Sequence, residues 1–287
     1  MVGKRVQDSV EEIARLAFNI RCSVVRMLAA AGSGHLGGSL SCADILATLY
    51  GAVLKKQPEN PKWGGRDRFV LSIGHVAPAY YAALAHSEYF PVEELLTLRK
   101  LGSRLQGHPS KLSGLPGVDA SSGSLGQGLS LGVGFALAAR LGSGIWTTYV
   151  LLGDGELQEG EVWEAAMSAS HHHLGNLVAI VDRNGLQIDG PNQLVMGLEP
   201  LAKRWESFGW RVLEVDGHDI DALLSVLTEA RPPDVPTVVL AKTVMGYGIR
   251  SIANKAEWHG KSPKPEQVKG FIQELEIAEE QRQGLYF

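Results

Sequence analysis

Cysteine is scarce: Cys22 and Cys42 are the only two in 287 residues. Two thiols make neither a disulfide framework nor a set of metal ligands. Both fall in apolar helical patterns that suit small buried thiols, and such usage fits a reducing cytoplasm. Runs of like charge are also missing. No block of five or more occurs and the formal net charge is −4, which argues against a nucleic-acid or membrane-surface binder. The N-terminus lacks the basic start, apolar core and cleavage site of a secretory signal. The longest apolar run, residues 129–141, is too short and too glycine-rich to span a bilayer.

What is present is an ordinary globular balance, 45% hydrophobic and 20% charged, in a chain long enough to bury a sizeable core. Helical spacing of Ile13, Leu16, Ala17, Ile20, Val24 and Met27 predicts a helix over 7–31, stopped by Gly32-Ser33-Gly34. A second helix is expected over 41–54 and a surface loop over 57–65. Strands are expected at 69–72, 147–152, 177–181, 210–215 and 236–242, alternating with helices at 76–86, 126–140, 159–173, 200–208, 220–230 and 265–283. Residues 101–122, rich in Gly, Ser and Pro, contain no evident element, and a loop that long is usually functional.

Strands that are apolar throughout and alternate with helices predict an α/β fold, a doubly wound, mostly parallel sheet with helices on both faces. With no linker and no repeat, residues 1–287 read as a single domain with a C-terminal helical tail from about 263. Ligands on such sheets bind beyond the carboxyl ends of the strands. The loops after Leu152, Val181, Val215 and Lys242 are therefore the places to look.

Two of those loops carry chemistry. Gly153-Asp154-Gly155 follows one apolar strand, and Asp182-Arg183-Asn184-Gly185-Leu186 follows the next. Consecutive strands are often neighbours, so the two tips can converge. The Asp154 carboxylate, the Asn184 amide oxygen and a backbone carbonyl would form an all-oxygen shell suited to Mg²⁺ or Ca²⁺, completed by phosphate oxygens and water. Each motif alone also reads as a turn; their pairing at successive strand ends is the specific signal. His171-His172-His173 ends a helix, where cations are favourable and successive side chains diverge, so it reads as a helix terminus.

Gly153-Asp154-Gly155 followed after 28 residues by Asn184 resembles the thiamine diphosphate signature. Further motifs narrow the resemblance to the transketolase family. These are Ser33-Gly34-His35, Gly74-His75, Gly107-His108-Pro109, Gly123-Ser124-Leu125-Gly126-Gln127-Gly128, Ile188-Asp189-Gly190, Asp216-Gly217-His218-Asp219 and Trp258-His259-Gly260. They run from about residue 10 to residue 265 in the family's order. The resemblance implies a thiamin diphosphate-binding fold, with thiamine diphosphate and Mg²⁺ (or Ca²⁺ or Mn²⁺) as cofactors. Asp154, Asn184 and the Leu186 carbonyl resemble the metal ligands. Gly155 and Glu156 would contact the diphosphate, and His75, Gly123, Ser124 and Leu125 would lie along the cofactor. His35, His75, His108 and His259 resemble the catalytic histidines facing the sugar, His259 also reaching the diphosphate. Ketol transfer moves protons on and off sugar oxygens, a task imidazole serves near neutral pH. Glu159 and Glu164 fit either a favourable helix N-terminus or the subunit interface that the family has there.

Two departures stand out. Where the family often has proline, this chain has Ser124 and Leu36. Both put loop stiffness in doubt more than reaction class. The resemblance also implies a missing half, since family members hold the aminopyrimidine ring and the sugar phosphate on a second domain. The expectation is therefore a split enzyme: this chain with a separate C-terminal, pyrimidine-binding transketolase subunit, in an α2β2 heterotetramer in the cytoplasm. No nucleic-acid or membrane partner is expected. Its substrates would be sugar phosphates, with pentose, branched and sulfonated sugars all open. A 1-deoxyxylulose-5-phosphate synthase relative and a non-catalytic, partner-stabilising subunit are the alternatives.

Overall fold

The computed structural model describes residues 2–142 and 144–283, with side chains described for 9–142 and 144–282. The outermost residues of the expected 1–287 domain lie outside that range. Helix α1 (Val2–Ala31) is followed by α2 (Leu36–Ser41) and α3 (Ala43–Thr48). The sheet contains β1 (Arg68–Leu71), β2 (Thr148–Gly153) and β3 (Leu177–Arg183), then, past a small hairpin of β4 (Leu186–Gln187) and β5 (Gly190–Pro191), β6 (Arg211–Asp216) and β7 (Thr237–Lys242). The five strands pair in parallel in the order β1-β2-β3-β7-β6. The other helices are α4 (Ala77–His86), α5 (Gln127–Leu141), α6 (Gly160–His171), α7 (Asn192–Met196), α8 (Leu201–Ser207), α9 (Ile220–Thr228) and α10 (Val268–Gln283).

Both faces of the sheet are covered, which is why its central strands read as unbroken apolar runs. Tyr149, Leu151, Val178, Ile180, Val239 and Ala241 join one core with side chains of α1, α3, α4, α9 and α10. Val150, Leu152, Ala179, Val181, Val238 and Leu240 join the other with α5, α6 and α8. Burying each Val or Leu side chain contributes about 1.5–3 kcal/mol, so the register that presents these two sets is strongly favoured. That register sets Gly153 beside Asp182, so the loops that follow them converge as expected.

Some boundaries differ from the sequence reading. The second helix starts at Leu36, breaks at Cys42, and ends in a π-helical turn, Leu49–Val53. The helix expected from 159 is preceded by a 3-10 turn, Gly155–Gln158, and begins at Gly160. The long loop 101–122 has one 3-10 turn, Lys111–Ser113, and is pinned to the core. Tyr81 Oη donates to the Gln106 carbonyl at 3.0 Å and Tyr80 Oη to that of Gly117 at 2.8 Å. The expected tail is part of the domain: Phe271 and Leu275 of α10 are buried in the first core, and Arg282 donates to the Ala14 carbonyl of α1 at 3.0 Å. Among the described residues, no helix is long and apolar enough to cross a membrane.

Candidate functional site

At the carboxyl ends of the strands lies a cleft of about 140 Å³, lined among others by His75, Leu125, Asp154, Asn184, Leu186 and His259. Larger surface hollows, of about 760 and 500 Å³, lie beside α10 and at the amino ends of β2 and β3. Chemistry concentrates in the smaller one.

Asp154, only 6% exposed, stands at the tip of β2. Its Oδ1 accepts the Gly155 N–H at 2.9 Å and its Oδ2 accepts the Gly185 N–H at 2.6 Å. Gly185 can offer its N–H there because it turns with φ +78°, a conformation open to glycine. Burial is the main reason the Asp154 carboxyl is pushed up to about 7, and the neighbouring Asp182 adds to it. The N–H groups of Gly185 and Gly155 and the amide of Asn192 offset part of that rise. No Arg, Lys or His among the described residues forms an ion pair with Asp154. A buried carboxylate without a counter-charge is costly, and a divalent cation would remove that cost.

Asn184 stands beside it at the tip of β3. Its Oδ1 accepts the Leu186 N–H at 3.0 Å, leaving a second lone pair, and its Nδ2 donates to Asp182 Oδ2 at 3.1 Å. Leu186 pairs with Pro191 in the hairpin, which holds its backbone at the cleft. Among the described residues no three His, Cys, Asp or Glu side chains gather as a metal site. A cation here would therefore use one carboxylate, one amide and one carbonyl, with phosphate oxygens filling the rest, the oxygen-rich set Mg²⁺ takes with a diphosphate.

Three imidazoles face each other across the cleft. His35 precedes α2, His75 lies in the turn after β1, and His259 follows a turn at Ala256–Trp258. Ring centroids are 4.9 Å apart for His35–His75, 5.2 Å for His75–His259 and 5.7 Å for His35–His259. Burial, then the charge of neighbouring imidazoles, lowers His75 to about 3 and His35 to about 4. Burial lowers His259 as well. All three are thus neutral at pH 7, able to accept a proton or hydrogen bond from a hydroxyl. Nδ1 of His35 and Nδ1 of His259 are buried without a hydrogen-bond partner, as expected of groups that await a ligand. His108 packs on Gly123, where an added Cβ would sit 3.0 Å from its Cγ. Burial, with the nearby Arg99 charge, lowers it too.

The segment Gly123-Ser124-Leu125 passes over the β1 turn so closely that a Cβ on Gly74 would meet the Gly123 backbone at 2.8 Å. Ser124 is exposed and Leu125 lines the cleft. Glu156 ties this segment to the Asp154 loop. Its Oε1 accepts the Ser72 hydroxyl and, at 2.8 Å, the Gly126 N–H; its Oε2 accepts the Gly153 N–H at 3.2 Å. Burial pushes the Glu156 carboxyl up to about 7. Its carboxylate is thus occupied with the protein, although the residue borders the cleft where a diphosphate contact was expected.

The structure gathers His35, His75, His108, Leu125, Asp154, Gly155, Asn184, Leu186 and His259 from seven loops or turns. It also reveals Asp182, 1% exposed, which accepts Ser41 Oγ and Thr243 Oγ1 at 2.5 Å each. The signal for it was an aspartate directly after the apolar run 177–181. Of the two departures, Leu36 is fully buried at the start of α2, so core packing occupies the place of a stiff proline. His171, His172 and His173 are exposed, and the carbonyls of the last two accept the Arg140 guanidinium. Glu159 stands at the N-cap position of α6 without a side-chain cap bond, and Glu164 lies on its exposed face.

Comparison with known proteins identifies the family. Residues 13–282 match the family described as transketolase, thiamine diphosphate binding domain. The chain is 44% identical over 246 residues to the 6-deoxy-6-sulfo-D-fructose transketolase subunit SqwG of Clostridium sp. (strain MSTE9), covering 85% of this chain and 89% of that one. It is 40% identical over 256 residues to an apulose-4-phosphate transketolase subunit of Phocaeicola vulgatus, covering 89% and 90%. Its fold superposes with a TM-score of 0.84 and 32% identity on transketolase from Pichia stipitis in complex with sedoheptulose 7-phosphate, covering 96% of this chain but 45% of that one. The chain thus spans less than half of that single-chain enzyme and nearly all of the named subunits. This chain belongs to the transketolase family, as its thiamine diphosphate-binding domain.

Proposed function

We propose that this chain is the diphosphate- and metal-binding subunit of a thiamine diphosphate-dependent transketolase. With a separate pyrimidine-binding subunit it would transfer a two-carbon ketol unit from a ketose to an aldose. The observation that carries the reading is the meeting, in one cleft, of an uncompensated Asp154, the Asn184 amide and the neutral imidazoles of His75 and His259, with His35 packed against both.

Asp154, Asn184 and the Leu186 carbonyl would hold Mg²⁺, and Gly155, Glu156, His75, His259 and the segment Gly123-Ser124-Leu125 would border the cofactor. Thiamine diphosphate, when bound, supplies the electron sink for carbon–carbon bond cleavage. His35, His75, His108 and His259 would bind sugar hydroxyls and take or return their protons. A neutral imidazole can accept a hydroxyl proton and, once charged, give it back. Relatives named for 6-deoxy-6-sulfo-D-fructose and for apulose 4-phosphate support a sugar substrate that carries an anionic end.

The relatives named as subunits support a two-chain enzyme, which we take as an α2β2 assembly. The two cysteines, both free and buried, support a cytoplasmic location. Assay of the chain with its partner on a ketose phosphate and on pyruvate tests the reaction class. Ketol transfer from the ketose alone is expected. Turnover of pyruvate instead would assign a 1-deoxyxylulose-5-phosphate synthase type of reaction, and neither activity would leave a non-catalytic subunit.

A further inference from the structure

An amide has an acceptor end and a donor end, and only the acceptor end can hold a cation. The metal site proposed above therefore depends on which way the Asn184 amide is turned. The protein contains a device that decides it. Asp182 lies behind Asn184, within β3 and 1% exposed. Its Oδ1 accepts the Thr243 hydroxyl at 2.5 Å, its Oδ2 accepts the Ser41 hydroxyl at 2.5 Å, and the same Oδ2 accepts Asn184 Nδ2 at 3.1 Å. Ser41 ends α2 and Thr243 follows β7, so three elements meet on one carboxylate. The backbone takes part as well, because the Asp182 carbonyl accepts the Asp154 N–H at 3.3 Å.

Both oxygens of Asp182 already act as acceptors in this network and have no hydrogen to offer a reversed amide. With its amide reversed, Asn184 would turn its own oxygen onto Asp182 Oδ2 and leave a buried NH2 unpaired at the Leu186 N–H. Each unmet buried group costs about 1–3 kcal/mol. The observed orientation avoids both penalties and leaves one lone pair of Asn184 Oδ1 for a ligand.

We propose that Asp182 is a positioning residue that locks the Asn184 amide with its oxygen toward the cleft, so that the metal site is set before the metal arrives. This inference rests on the function proposed above. It adds a role for a residue outside the proposed ligand set that borders the same cleft, and it makes Ser41 and Thr243 supports for that role.

The test is a pair exchange, read by titrating Mn²⁺ with thiamine diphosphate into the full chain mixed with its partner and following free Mn²⁺ by electron paramagnetic resonance. Asp182→Asn presents an ambiguous face to Asn184, and a Kd weakened at least tenfold is expected. The exchange Asp182→Asn with Asn184→Asp restores one donor and one acceptor with the acceptor outward, and recovery to within about threefold of the wild type is expected. A merely structural carboxylate predicts the opposite, losses that add in the double variant. Should Asp182→Asn alone prove insoluble, the exchange against the wild type still decides. A soluble exchange that binds weakly overturns the proposal. An insoluble exchange also overturns it, because the pair keeps its hydrogen bond and its charge. Unchanged affinity in Asp182→Asn overturns this inference and leaves the proposed function standing. Failure of the wild-type mixture to take up Mn²⁺ overturns both.

Discussion

The Asp154 carboxylate accepts the Gly185 N–H at 2.6 Å across 31 residues of sequence, joining the loop after β2 to the loop after β3. The contact follows from the pairing of Gly153 with Asp182 in adjacent parallel strands. It brings one carboxylate and one amide to a single point, and the proposed metal site is built on that point.

Asp154→Ala is expected to weaken metal-dependent binding of thiamine diphosphate by at least 100-fold while the chain stays folded. Two N–H groups lose an acceptor, but a buried charge is also removed, so the stability cost should stay within about 2 kcal/mol. Calorimetric titration beside a urea unfolding curve checks both halves. A chain that fails to fold would make Asp154 a structural residue.

Among the imidazoles, His35 approaches both His75 and His259 and has a buried Nδ1 without a partner. His35→Ala should lower turnover of the reconstituted enzyme by about 10²–10⁴-fold, the range for a lost acid–base group, and change cofactor affinity only a few-fold. Steady-state kinetics with a cofactor titration separates the two effects. An equal loss in both would assign His35 to cofactor binding.

The crossing of Gly74 and Gly123 leaves no room for a methyl group, since a Cβ on Gly74 would lie 2.8 Å from the Gly123 backbone. Gly74→Ala should destabilise the chain by about 1–3 kcal/mol, as overpacking does. It should also weaken cofactor binding through displacement of Gly123-Ser124-Leu125. Thermal unfolding with and without cofactor provides the check, and wild-type behaviour in both would contradict the close approach.

Acid sensitivity follows from His75, lowered to about 3 by burial and then by neighbouring imidazoles. An unfolded chain takes up a proton near the ordinary value of about 6.5, whereas the folded chain refuses it down to about 3. Stability is therefore full above about 6.5 and falls as pH drops through that window. Asp154 and Glu156, both raised to about 7, act with the opposite sign and are the same in both proteins compared. His75→Gln should accordingly lose less stability than the wild type between pH 7 and pH 4.5. Denaturant midpoints at the two pH values measure it, and equal losses would mean His75 is not shielded.

β1, β2, β3 and β7 could be found in the sequence because their apolar runs face helices on both sides; β6, half-buried at the sheet edge, offers only Val212, Leu213 and Val215. Asp154 and Asn184 were legible because each lies in the loop just past such a run. The hairpin at Leu186–Gln187 and Gly190–Pro191 was not, since two-residue strands show no alternation of period two. The break at Cys42 was hidden for a different reason: α2 and α3 are buried along their whole length, so no polar face marks their ends. Glu156 was expected at the diphosphate, but sequence spacing cannot show that Ser72, Gly126 and Gly153 already occupy its oxygens. Asp182 stood in plain sight as a charge after an apolar run. Its partners Ser41 and Thr243 are 141 and 61 residues away, and only the fold brings them together.

The central claim is that this chain holds the diphosphate half of a shared site. Calorimetric titration of thiamine diphosphate with Mg²⁺, into the chain alone and into the chain mixed with its candidate partner, tests it most directly. Tight binding only in the mixture, with ketol transfer appearing alongside, is the predicted result. Tight binding and ketol transfer by the chain alone would contradict it, because the site would then be complete without a second chain.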